Sequence, residues 1–340
     1  MHCRLLRSLT VLVPLLVPSR TVAAQATSAT HTTQATQTPG TGARPELTEL
    51  LHTLDSMMHA QPVNFAAYSS FAERSRVRVA ELVAADELRT PADFLAASRL
   101  MADPSGFFEN RRVEHELALT ALVLGDTGAL HRVALSWDGL NWSMGRGQRL
   151  GSYTRNGVPN NMDPVPAPLV IRELFKDIAA ARRRAVAAMN DTALQRMRDA
   201  DQADRTGEPN AAMMSRMRAN DPARRARVLQ LVADGVPATG RDFQNAATVM
   251  QHGETPDDYR LAHELTITAI ALGDTSAVWL LSRSYDRMLL SMGHRQRLNT
   301  QYGGSTMSLM PLDTSAVNDR IRVALGSRRL ADAARPPIDK

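Results

Sequence analysis

Only one cysteine, Cys3, occurs in the 340 residues. That excludes a disulfide scaffold and a thiolate-rich metal site. Aromatic residues make up 4% of the chain. This is too few for an all-β sandwich, or for a nucleic-acid module that stacks bases on rings. No apolar run approaches the roughly 18 to 20 residues that span a bilayer. Lysine is nearly missing: of 40 basic residues, Lys176 and Lys340 are the only lysines. The short run Arg182, Arg183, Arg184 sits among alanines and reads as a solvated helix face, so no nucleic-acid partner is expected. What is present suffices for a folded core, at 44% hydrophobic and 22% charged residues.

The N-terminus has the pattern of a secretory signal. Arg4 and Arg7 precede an apolar run from Leu9 to Val17, and small residues follow through Ala24 and Ala26. Cys3 lies before the apolar run and would leave with a signal peptide spanning 1–26. The formal charge of +5 would then lose Arg4, Arg7 and Arg20, leaving +2 (5 − 3). Residues 27–44 are mostly Ala, Thr, Gln, Ser, Gly and Pro and predict a disordered linker. The expected location is periplasmic or extracellular, and a chain without cysteine suits an oxidising compartment.

The body of the chain repeats itself. Residues 93–150 return as 242–298, with about 23 of roughly 57 aligned positions identical across one single-residue gap. His115, Glu116 and Leu117 match His263, Glu264 and Leu265. Gly125, Asp126 and Thr127 match Gly273, Asp274 and Thr275. Asp138 matches Asp286, and Gln148, Arg149 and Leu150 match Gln296, Arg297 and Leu298. A period near 149 residues (242 − 93) is too long for a solenoid and suits a duplicated domain.

Each segment reads as helices. Val113, Leu117, Thr120, Ala121 and Leu124 recur at three- and four-residue spacing and predict one apolar stripe. Gly125 then ends the helix, and Asp126 caps the next, from Thr127 to about Met144. The second segment repeats this from Leu261 to Met292. Further helices are predicted near 46–60, 66–86, 91–102, 167–190, 211–234, 240–251 and 315–333. Asn156-Gly157 is a turn signal without flanking β-runs. The expected architecture is all-α: a helical domain at 45–198, a polar linker at 199–210, a second helical domain at 211–334 and a tail at 335–340. Both domains are built on αα-hairpins.

The second segment resembles a family of exported bacterial proteins known only as a domain of unknown function. The residues that carry the resemblance are Met250-Gln251-His252-Gly253, Thr255-Pro256-Asp257-Asp258-Tyr259, Ala262-His263-Glu264-Leu265, Trp279-Leu280, Asp286-Arg287, Gly293, Gln296 and Thr300-Gln301-Tyr302, within roughly 240–330. Asn299 stands where the family pattern has glycine. The resemblance implies fold and export rather than an activity.

The candidate ligand-binding residues are Gln251, His252, His263, Asp286, Arg287, Gln296 and Gln301. In the first segment Ala102 and Asp103 face Gln251 and His252, Gly139 faces Arg287, and Tyr153 faces Gln301. The first segment is therefore expected to be degenerate, and the second to hold any cleft. No Gly-x-Ser-x-Gly turn, phosphate loop or two-histidine zinc helix accompanies these residues. No metal and no cofactor is expected. The expectation is a soluble binding or interaction module, with an unknown protein or small molecule of the cell envelope as partner and no membrane span. One alternative is a hydrolase in which His252 or His263 is a general base oriented by Asp286. The other is a structural envelope protein with no site.

Overall fold

A computed structural model describes residues 42–207, 210–304 and 307–334 of the chain. The expected signal peptide, all but the end of the linker before Pro45, and the tail at 335–340 lie outside the described residues. Thirteen α-helices, two short 3-10 turns and two very short strand pairs make up the regular structure there, so the protein is all-α.

Helices α1 (Pro45–His59), α2 (Phe65–Ala84) and α3 (Pro91–Leu100) lead into an antiparallel pair, α4 (Phe108–Val123) and α5 (Ala129–Ser143). Short helices α6 (Leu169–Lys176) and α7 (Ile178–Ala187) follow. The pattern then recurs: α8 (Thr192–Ala203), α9 (Ala211–Ala233), α10 (Gly240–Met250), α11 (Pro256–Ala271) and α12 (Val278–Ser291), closed by α13 (Asp319–Ala324). Corresponding starts use the same chemistry. Thr90 and Asp93 form a capping box on α3, as Thr239 and Asp242 do on α10. In each box the aspartate has a second role: it holds the chain entering the first helix of its half, through the Arg44 and Asp191 N–H groups. Gly125 and Gly273 take φ of +104° and +99° to end α4 and α11.

Helices α4 and α11 form the centre. Every residue from Arg112 to Leu122, and from Arg260 to Ala271, is buried. The single apolar stripe expected on α4 is therefore a correction: a helix covered on all sides carries no solvated face. Glu114, His115, Glu116, His263 and Glu264 go inside with it and must find partners there.

Those partners come mostly from the opposite half. Arg149 donates from Nε and Nη2 to both oxygens of Glu264 at 2.7 Å, and Arg297 grips Glu116 in the same way at 2.8 and 2.9 Å. The Trp137 indole N–H donates to Glu264, and the Tyr285 hydroxyl donates to Glu116. His115 and His263 meet with their Nε2 atoms 3.2 Å apart. Residue i of one half touches j of the other, and j touches i, as across a twofold dimer interface. Also, α6 packs on α11 while α13 packs on α4. The two expected domains are thus not separate bodies. All described residues belong to one compact unit with one core.

Other expectations need correction too. The linker at 199–210 begins as helix, because Asp199 to Ala203 complete α8 and Asp201 is buried. The polar composition there reflects pairing rather than solvation: Arg205 bridges Asp201 and Asp221, and Arg224 joins Asp221 to Asp204. Arg44, at the end of the supposed disordered stretch, pairs with Glu87 at 2.8 Å. The helix expected at 167–190 breaks at Asp177, whose carboxylate caps α7. The last helix shrinks to α13 and a 3-10 turn at Leu330–Ala334. Asn156 and Gly157, at φ of +53° and +76°, close a small hairpin of β1 (Thr154–Arg155) and β2 (Val158–Pro159). Its counterpart pairs β3 (Tyr302–Gly303) with β4 (Ser308–Leu309).

Candidate functional site

The seven candidate residues fall into three places. His263 lies in the shared core, ringed by His115, Trp137 and Tyr285. Its Nδ1 faces Ser284 Oγ at 3.2 Å, as His115 Nδ1 faces Ser136 Oγ at 2.9 Å. Two neutral imidazoles can share only one proton between their Nε2 atoms. One ring therefore donates from Nε2 and accepts its serine hydroxyl, and the other ring does the reverse. Burial pushes the His263 pKa down to about 3, and burial with the neighbouring ring takes His115 well below the usual range. His263 and Asp286 make no contact with each other, so they do not form the acid–base pair considered from sequence.

Asp286 and Gln296 shape the loop after α12. Asp286 accepts the backbone N–H of Arg297, Leu298 and Thr300 and the Thr300 hydroxyl. Gln296 Oε1 takes the Gln301 N–H, while its amide donates to the carbonyls of Gln301 and Met310. Asp138 and Gln148 do the same for the first-half loop. Burial raises the pKa of both aspartates against these hydrogen bonds. A group present in both halves with the same partners is a tether.

The remaining residues gather at a cleft of about 540 Å³ between the ends of α10 and α12. His252, Arg287 and Gln301 line it, with Arg205, Asp221, Tyr259 and Ser291. Met217, Leu290 and Met310 add an apolar wall. Gln251 stands behind, its carbonyl accepting from Arg287 Nη1. Arg287 Nε donates to Gln301 Oε1 at 3.0 Å. The Gln301 amide in turn donates to Thr300 Oγ1, so the tethered loop fixes the arginine. Burial lowers the Arg287 pKa, and it makes no ion pair among the described residues. His252 Nδ1 lies 3.0 Å from the buried Asp201 carboxylate. Burial lowers the His252 pKa and outweighs the opposing pull of Asp201.

The related cleft in the first half encloses about 360 Å³ and differs where charge matters. Position 139 is glycine, and the Arg111 guanidinium from α4 covers it, 3.1 Å from where a Cβ would sit. Arg111 stands at the position of Tyr259 in the alignment. Both clefts thus contain an arginine, reached from opposite helices, which qualifies the expected degeneracy of the first half. The Arg111 charge is met by Glu114 at 2.9 Å, a carboxylate that Arg132 also reaches at 2.6 Å. The position matching Glu114 is Ala262, and Arg287 has no such carboxylate.

Sequence reasoning missed Asp201, Arg205 and Tyr259. The available signal was helical spacing: Asp201 follows the buried Leu194 by seven residues, so an acid falls on the apolar face of α8. A larger groove, about 600 Å³, lies between Asp86, Asn318 and Arg320, but both its aspartates are paired, Asp86 with Arg89 and Arg320 and Asp319 with Arg322. Among the described residues no group of three His, Cys, Asp or Glu side chains could hold a metal, and no helix is long and apolar enough to cross a membrane. No family model, curated protein or solved structure matches the chain.

Proposed function

We propose that this protein is an exported binding module whose second-half cleft takes a small anion, selected by Arg287. One observation carries this reading: the arginine of the first cleft pairs with Glu114, whereas Arg287 makes no ion pair, and the carboxylate lining its cleft, Asp221, is held by Arg205 and Arg224. A partly buried cation without a counter-ion is costly, and an anion that binds there removes the cost. Guanidinium is suited to it, since two N–H groups can meet two oxygens of a carboxylate or phosphate. The reciprocal packing supports descent of both halves from one duplicated unit, with the first half keeping the scaffold and the second the cleft. The N-terminal signal pattern and the resemblance to exported bacterial proteins support a periplasmic or extracellular setting.

The test is thermal unfolding of the full chain with dimethyl phosphate, acetate and inorganic phosphate as probes. At a probe concentration 100 times its Kd, stabilisation should reach about 2.7 kcal/mol. Arg287→Gln should remove the shift, and Arg111→Gln should leave it in place. Equal shifts in wild type and Arg287→Gln, or no shift with any probe, would favour a structural envelope protein without a site.

A further inference from the structure

We infer that the cleft is catalytic, with His252 as general base in the hydrolysis of a phosphodiester. This rests on the anion reading of Arg287 and adds a reaction to it. The key juxtaposition is His252 against Asp201 in the wall that also carries Arg287. Matching the entry residues Arg44 and Asp191, which bond their respective capping aspartates, puts Asp201 where the first half has the buried Leu54. A carboxylate replaces a core leucine there, at a cost in desolvation. It faces the one histidine of the cleft, at a position where the first half has Asp103. Asp201 fixes Nδ1 as the protonated nitrogen. Nε2 is left with its lone pair, without a protein partner among the described residues, on a side chain that lines the cleft. Arg205, itself held between Asp201 and Asp221, braces that carboxylate.

The substrate class follows from charge. Arg287 is one uncompensated cation, and a phosphodiester carries one negative charge at neutral pH, located on the reacting group. Its non-bridging oxygens would sit on Arg287. Water attacks phosphorus as its proton passes to His252 Nε2. The new P–O bond forms, the bond to the leaving alcohol oxygen breaks, and His252 returns the proton to that oxygen. The products are a phosphomonoester and an alcohol. Arg287 holds the charge that gathers on the equatorial oxygens during attack. Asp201 is a positioning residue, since it acts only through His252.

The probe is bis(p-nitrophenyl) phosphate with the full chain, followed by p-nitrophenol release, and the controls are His252→Gln, Asp201→Asn, Arg287→Gln and Arg111→Gln. Wild type should turn the probe over, with kcat rising with pH through a single inflection below 6.5 and then level. His252→Gln should lose at least about 100-fold in kcat. Asp201→Asn should lower kcat with KM unchanged and move the inflection to lower pH, because the carboxylate that raises the His252 pKa is gone. A merely structural Asp201 would leave the inflection in place. Arg287→Gln should raise KM and lower kcat, and Arg111→Gln should change neither. No turnover by wild type, or equal turnover by His252→Gln, overturns the inference. If dimethyl phosphate still stabilises wild type but not Arg287→Gln, the anion cleft stands while the chemistry falls.

Discussion

The histidine pair between the halves makes stability depend on pH in a calculable way. In the unfolded chain a histidine takes up its proton near pH 6.5, whereas buried His263 resists until about 3. Between those values the unfolded state binds more protons than the folded state, so stability rises with pH. The contribution is complete above 6.5 and is lost as pH falls toward 3. The slope is about 1.4 kcal/mol per pH unit, and from pH 8 to pH 5 the loss is about 2 kcal/mol for His263. His115, lowered in the same direction, adds to it. Asp138 and Asp286 work the other way, because burial raises their pKa and folding favours their protonated forms at low pH. A comparison with His263→Gln cancels them, since both proteins keep both aspartates. Urea unfolding followed by helical circular dichroism at pH 8, 6.5 and 5 gives the measurement. Wild type should lose about 2 kcal/mol more than the variant over that range. Parallel pH dependence in the two proteins would refute the account of a neutral buried pair.

Two arginines on neighbouring elements should respond oppositely to loss of charge. Arg297→Met strands Glu116 in the core and should cost about 3–5 kcal/mol in urea unfolding, whereas Arg287→Met removes an unpaired cation and should stay within about 1 kcal/mol of wild type. Asp286→Ala leaves three backbone N–H groups without their acceptor, so limited proteolysis should cut between 294 and 304. Asp138→Ala should move the cut to 146–160, and intact loops in both variants would contradict the tether role.

The amino-acid sequence alone determined the local features. Helical periodicity, the glycines that end α4 and α11, and the Thr–Asp starts of α3 and α10 act through backbone groups a few residues away. Such effects are written in order along the chain. The repeat also made the second half the place to look, and His252, Arg287 and Gln301 do share a cleft. Tertiary structure decided what each polar group does. His263, Asp286 and Gln296 looked like site residues because they are polar and repeated, yet each closes a core or loop contact that only packing reveals. Asp201 looked like linker because its neighbours are charged, and its partner His252 lies 51 residues away. Whether a buried charge is met or left open depends on which distant side chain reaches it. Arg111 and Glu114, three residues apart on one helix, could be paired from spacing alone, but the reach of Arg287 to Gln251 and Gln301, 36 and 14 residues away, could not.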